Sequence, residues 1–281
     1  MKNRKVVIGA AGFVGSAIAA ELEKTGNEVV RTTRSDVNLA NTDASARLSR
    51  IISEGDTVVF AAADAPCKST HQYLTNIQML CGLIDAVTHI RLEKLVYVSS
   101  DAVYSDSKQP LREESPAAPE SLHGVMHRSR EMLLTTTRHP LLVLRPTLIY
   151  GPSDPHNGYG PNRFIRSARA GSEVILFGDG EELRDHVHIS DVAFYAARAV
   201  ESETGVLNIA SGELRSFMEL ATKAVDLSGG GARIRTQPRQ GPMPHGGYRA
   251  FDISRLQNKF GPRPMVLPEQ AMEKEFHLYG V

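Results

Sequence analysis

Short apolar runs alternating with amphipathic stretches set the rhythm of the first half of the chain. "KVVIGA" (residues 5–10), "NEVVRTT" (27–33), "DTVVFAAA" (56–63), "KLVYVSS" (94–100) and "LLVLRPT" (141–147) are too short for helices and almost continuously apolar. Stretches with helical spacing lie between them, at residues 14–25, 43–53, 72–88 and 123–138. Strands of this kind are buried on both faces, and helices between them supply the cover. The pattern predicts an α/β fold with a doubly wound, Rossmann-like parallel sheet, because right-handed crossovers place helices on both sides.

The second half is less regular. "GPSDPHNGYGPNRF" (151–164) reads as a Gly/Pro-rich loop, and "EVILFGDGEELRDHVHISD" (173–191) as a strand, a turn and a second strand. A helix at "DVAFYAARAVES" and a strand at "GVLNIAS" follow, and residues 228–247 read as a mobile surface loop. The expected division is a dinucleotide-binding domain over 1–151, to which 186–211 return, and a smaller α/β substrate-binding region over 152–281.

Charge excludes more than it suggests. Lys plus Arg number 32 and Asp plus Glu 32, so no net field draws the chain to nucleic acid or to an anionic membrane. Two cysteines, Cys67 and Cys81, make neither a disulfide framework nor a metal spacing, which points to the reducing cytoplasm. The first twenty residues have the basic head and apolar run of a secretory signal. They also read as strand, glycine turn and helix without a break, and the chain that follows favours that reading. No apolar stretch has transmembrane length.

Gly9, Gly12 and Gly15 follow a strand and open a helix. Glycines there permit a tight turn and let backbone N–H groups approach a pyrophosphate at the helix N-terminus; the alternative is a glycine turn with no ligand. At the end of the second strand an acid would bind the ribose hydroxyls of NAD. The chain has Thr33 there and Arg34 after it, with Arg31 nearby. A guanidinium suits the 2′-phosphate of NADP, so NADP is expected over NAD; the bland alternative is a solvated surface arginine. In "SLHGVMHRSRE" (121–131), His123 and His127 share one helix face. They could ligate a metal, carry out acid–base chemistry or decorate the surface.

Taken together, "GAAGFVG", "DTVVFAAA", "TNIQMLCGLIDA", "LVYVSSDAVYSD", "LLVLRPTLIYGP", "FGDGEELRDHVHISDVA", "NIASGE" and "FDISRLQNKFG" resemble the extended short-chain dehydrogenase/reductase family, in particular its sugar-nucleotide epimerases, dehydratases and reductases. "RTTRSDVNL" resembles the segment of GDP-fucose synthase-type reductases, which use NADP. The resemblance implies that Gly9, Gly12, Phe13, Val14 and Gly15 hold the pyrophosphate, that Thr33 and Arg34 meet the adenosine ribose, and that Asn38 and Leu39 flank the adenine. It implies that Ala61, Ala62 and Ala63 line the cofactor path and that Asn76 supports the nicotinamide side. Ser100 matches the catalytic Ser/Thr, Arg184 a diphosphate contact and Asn162 a substrate-loop position. Arg249 matches a second diphosphate contact, although its spacing to Asp252 departs from the family's. The implied partners are a nucleotide-sugar substrate and a second copy of the chain, paired through helices 72–88 and 123–138.

The departure lies at the chemistry. Where the family has a tyrosine, three residues and a lysine, the chain has His123 and His127, and no metal is expected between them. Tyrosine titrates near ~10 and needs a lysine charge beside it, whereas histidine titrates near ~6.5 unaided. His123 is therefore expected to exchange the proton of the reacting oxygen, with His127 orienting the cofactor ribose or tuning its neighbour. Asp101 follows Ser100, but Ala102 stands where dehydratases have glutamate, which leaves epimerisation or ketone reduction. The alternative function is a non-catalytic NAD(P)-binding regulator of the same fold.

Overall fold

The apolar runs form the strands they predict. In the computed structural model, which describes residues 4–279, the first half contains β1 (Lys5–Ile8), α1 (Phe13–Lys24), β2 (Val29–Thr32), α2 (Ala44–Ile51), β3 (Thr57–Phe60), α3 (Thr70–Val87), β4 (Lys94–Val98), α4 (Leu122–Thr135) and β5 (Leu141–Pro146). The second half adds β6 (Leu148–Tyr150), α5 (Pro161–Arg169), β7 (Val174–Phe177), β8 (Leu183–His188), α6 (Ile189–Ser202), β9 (Gly205–Ile209), β10 (Leu214–Ser216), α7 (Phe217–Leu227), β11 (Ile234–Gln237), β12 (Tyr248–Arg249), α8 (Ser254–Phe260) and α9 (Pro268–Glu275).

Two compact units divide the chain. One holds residues up to Ser105 with Glu113–Pro146 and Val192–Asn208; the other holds Asp106–Arg112, Thr147–Asp191 and the chain from Ile209. The expected boundary at 151/152 therefore lies a few residues earlier, and the return begins at Val192 rather than 186. Asp106–Arg112 also go to the second unit, because Leu111 bridges to Phe251 and exchanges backbone bonds with Ala250 and Asp252 there.

The first unit is a six-stranded sheet in the order β2-β1-β3-β4-β5-β9, with β2, β1, β3, β4 and β5 paired parallel. Every residue of β1 and β3 is buried, which is why their sequences lack alternation. Ile8, Phe60, Leu80, Leu83, Leu95, Tyr97 and Leu134 share its core. Strand order reverses between β1 and β3, and the carboxyl ends of strands at such a reversal open the crevice where doubly wound sheets bind ligands.

The second unit has a mixed sheet, in which β8 pairs with β6, β10 and β12, and a separate parallel pair, β7 with β11. That last pair corrects the sequence expectation for 228–247. Ile234–Gln237 pair along Val174–Phe177, so a strand lies inside the glycine- and proline-rich stretch. The 151–164 loop likewise yields α5 at its end, started by Pro161 at the first helical position, where its missing N–H is not needed.

Candidate functional site

The glycine turn after β1 is built around two close approaches. Gly9 has φ +87°, and a Cβ on it would meet the Ala62 backbone nitrogen at 2.9 Å. A Cβ on Gly15 would meet the Gly9 carbonyl oxygen at 2.3 Å, so the first turn of α1 packs directly on the glycine turn. Gly12 is the N-cap of α1 and brings no side chain to satisfy the first N–H groups. These donors face a cavity of about 510 Å³ lined by Gly9, Gly12, Thr33, Arg34, Asn38, Leu39, Ala61, Ala62 and Ala63, with Thr75 and Met79 from α3. Nine of the expected cofactor residues thus meet in one place. Phe13, Val14 and Gly15 stand behind it in α1. A turn that only glycine can make, N–H groups without a cap and an apolar slot beyond them fit a dinucleotide.

The end of β2 explains the missing acid. The Thr33 N–H and hydroxyl both donate to Asp36, at 2.8 and 2.7 Å, and hold its carboxyl below the usual carboxylate range. The acid is present but turned back into its own loop. Arg31 is committed too, paired through two bonds of 2.8 Å to Glu23. Arg34 is exposed on the cavity wall and makes no hydrogen bond or ion pair among the described residues.

Asn76 is fully buried and does not line the cavity. It accepts from Asp64 N–H at 3.0 Å and donates to Asp64 O at 2.9 Å, so it holds the Ala61–Asp64 segment in place. Beside it lies Arg130, which the sequence reading missed. Its guanidinium is fully buried, donates to the carbonyls of Asn76 (2.9 and 2.6 Å) and Ala62 (2.9 Å), and stacks over Phe60. The one available signal was spacing, since Arg130 follows His127 by three residues on the same helix face.

Ser121 caps α4 by accepting from Gly124 N–H, which puts His123 in the first turn and His127 one turn later. A Cβ on Gly124 would sit 2.1 Å from the Ala102 oxygen, so this turn packs against the Asp101–Val103 segment that follows Ser100. The Ser100 hydroxyl accepts from Ala102 N–H at 3.2 Å and faces Asp101 Oδ1 at 3.4 Å. The two imidazoles meet edge to face with centroids 4.7 Å apart. His123 Nδ1 accepts from the Cys67 backbone N–H at 3.3 Å. His127 is buried, with Nδ1 2.6 Å from the Tyr97 hydroxyl, and does not line the cofactor cavity. Burial, then the neighbouring His123 and Arg130, push its pKa well below 6.5. Burial pushes the Tyr97 phenol up to about 12, against the pull of nearby Arg130. Among the described residues no group of three His, Cys, Asp or Glu side chains is arranged to hold a metal.

In the second unit the register of β8 and β12 makes Arg184 and Arg249 neighbours, both buried. Arg184 donates to Glu182 at 2.9 Å, and Arg239, unremarked in the sequence, to the other oxygen of Glu182 at 3.4 Å. Arg249 donates to Asp106 at 3.3 Å. Guanidiniums grouped in this way are suited to an anion. Asn162 departs from its expected role. Its amide bonds Gly151 N–H at 3.0 Å and Asp154 at 2.8 Å, so it shapes the 151–154 loop. His188 bonds Ser190 and Glu275, while neither ring nitrogen of buried His186 has a hydrogen-bond partner among the described residues.

Comparison with known proteins agrees with this geometry. Over its full length the chain is similar to a UDP-N-acetyl-alpha-D-glucosaminuronate decarboxylase of Bacillus cytotoxicus, at 24% identity over 98% of this chain and 97% of the relative. A dTDP-4-dehydro-6-deoxy-D-allose reductase of Streptomyces is 27% identical over 92% of each chain. Among solved structures, UDP-glucuronic acid 4-epimerase from Bacillus cereus, in complex with UDP-glucuronic acid and NAD, superposes with a TM-score of 0.84 at 25% identity, covering 98% of both chains. A GDP-L-fucose synthetase from Naegleria fowleri bound to NADP shares the fold, with a TM-score of 0.82 at 16% identity over 98% of this chain and 92% of the other. The profile of the NAD dependent epimerase/dehydratase family matches residues 5–210, and the chain belongs to that family.

Proposed function

We propose that the protein is an NADP-dependent enzyme acting on a nucleotide-linked sugar, by epimerisation or ketone reduction. The observation that carries the reading is the first-unit cavity, which joins the glycine turn to Arg34 while Asp36 is withdrawn and Arg31 is paired. The N–H groups at Gly12 hold the pyrophosphate, and Arg34 grips the 2′-phosphate. When bound, NADP supplies the carbon that gives or takes a hydride. Ser100 and His123 hydrogen-bond the reacting sugar oxygen. Within the second unit, Arg184 and Arg249, which donate to Glu182 and Asp106, offer guanidiniums suited to an anionic group. Asp101 without a following glutamate supports the absence of dehydration.

Calorimetry tests the cofactor. NADP(H) binds more tightly than NAD(H), and Arg34→Ala weakens NADP by about 1.5–3 kcal/mol, the scale of a charge-assisted hydrogen bond, while leaving NAD unchanged. Equal affinity for the two cofactors in the parent protein defeats the NADP reading. Incubation of UDP-, dTDP- and GDP-sugars with the NADP-loaded protein tests the activity. NADP binding without turnover of any of them would favour a non-catalytic regulator.

A further inference from the structure

We infer that His123 and His127 are neutral imidazoles locked with their proton on Nε2, so that His123 serves as a fixed hydrogen-bond donor to the reacting oxygen instead of exchanging a proton with it. The catalytic half of this inference rests on the function proposed above; the locked tautomers rest on the hydrogen bonds alone.

The Cys67 backbone N–H settles His123. A peptide nitrogen has a proton to give and no lone pair with which to accept, so the Nδ1 it points at, 3.3 Å away, is bare. The single proton of the neutral ring is then on Nε2. Protonating Nδ1 would set two N–H groups head to head and break that bond. For Nε2 to act as a base, the ring would need its proton on Nδ1, and that would break the same bond.

Tyr97 does the same for His127. The phenol is buried and keeps its proton, and the Arg130 guanidinium lies beside its oxygen. The lone pairs turn to the cation and the O–H turns to His127 Nδ1, 2.6 Å away. His127 therefore also carries its proton on Nε2. Arg130 already supplies a buried positive charge, which donates to the carbonyls of Asn76 and Ala62, stacks over the Phe60 ring and lies beside the Tyr97 oxygen. A second cation beside it is disfavoured in so dry a place. Among the described residues, titratable and charged groups around the pair include Asp64 and Cys67 on the segment after β3, Tyr97 on β4, Asp101 after β4, and Arg130 and Glu131 on α4. The Glu131 carboxylate is taken by Arg145.

This accounts for the joint loss of tyrosine and lysine. A phenol that exchanges protons needs a lysine to tune it, whereas a donor of fixed protonation does not. Its work is to stabilise negative charge building on the sugar oxygen, as oxyanion-binding donors do, while the proton that this oxygen gains on reduction or loses on oxidation comes from or goes to solvent water.

The experiment is two-bond ¹H–¹⁵N correlation NMR on ligand-free protein with labelled histidine, the rings assigned with His123→Gln and His127→Gln. The expected result at pH ~8 is bare Nδ1 and protonated Nε2 in both rings, with His127 unchanged down to pH ~5.5. A protonated Nδ1 on neutral His123, or titration of His127 near ~6.5, overturns the inference. Tyr97→Phe should release His127 into a mixture of tautomers and leave His123 as it was; an unchanged His127 overturns its lock. In turnover, His123→Gln keeps an N–H at similar reach and should stay within about tenfold of the parent kcat/KM, while His123→Ala falls ~10²–10³-fold. Glutamine as slow as alanine would overturn the donor role. Because the NMR needs no substrate, failure to find a reacting sugar counts against the proposed reaction and leaves the tautomer result standing.

Discussion

Removing the carboxylate of Glu131 should destabilise the protein more than any single surface change. Glu131 lies one turn beyond His127, and its side chain is 3% exposed; that of Arg145 is 4% exposed. Arg145 donates to both its oxygens, at 2.9 and 2.7 Å, Ser99 donates at 2.7 Å and Arg128 at 3.2 Å. In Glu131→Ala the Arg145 guanidinium stays buried against the Tyr104 ring with no counter-charge. The ring contact exists in the parent as well, so it offsets nothing in the difference. Breaking a buried pair from one side costs about 3–5 kcal/mol. At about 2–4 °C per kcal/mol for a protein of this size, the melting temperature should fall by roughly 6–20 °C. Circular dichroism melts, with urea midpoints as a second measure, read this directly. The double change Glu131→Leu with Arg145→Met removes both charges and should recover most of the loss. A cost below about 1 kcal/mol for Glu131→Ala, the scale of a solvated pair, would refute the reasoning.

Three further outcomes are expected. Gly15→Ala and Gly124→Ala each drive a methyl into a backbone carbonyl oxygen, at 2.3 and 2.1 Å, and should cost about 1–3 kcal/mol in urea unfolding, whereas Gly82→Ala, with its nearest neighbour at 3.5 Å, should cost little. Burial, then the Arg184 charge, push His186 down to about 3 from 6.5. Between those values the unfolded chain binds the extra proton, so stability falls as pH falls, by about 2 kcal/mol at pH ~5; His186→Phe should flatten that slope, and an unchanged slope would count against it. A homodimer through α3 and α4 is expected on their exposed Leu74, Val125 and Met132, although Leu80, Leu83 and Met126, apolar residues of the same two helices, are fully buried within the chain. Leu74→Glu with Met132→Glu should give a monomer by light scattering, and a monomeric parent at micromolar concentration would end the idea.

Continuous apolar strands, helical spacing between them and three glycines after β1 determined the doubly wound sheet and the place of its cofactor cavity. Those signals are local, since a strand buried on both faces must be apolar along its length, and a turn with φ +87° at Gly9 requires glycine. The positions of His123, His127 and Ser100 were legible for the same reason, as each sits within a short contiguous motif. Their chemistry was not. Whether a histidine titrates or donates depends on what reaches its second nitrogen. The groups that do so are a peptide N–H at Cys67, 56 residues from His123, and a phenol at Tyr97, 30 residues from His127. Spacing could place Arg130 near His127, but only packing shows that it is buried on the carbonyls of Asn76 and Ala62. Asp36 reads as an ordinary acid until Thr33 takes up its carboxylate, and Asn162 as a substrate contact until Asp154 and Gly151 take up its amide. The strand at Ile234–Gln237 exists because β7 offers it a partner, and pairing of that kind leaves little trace in a stretch of four residues.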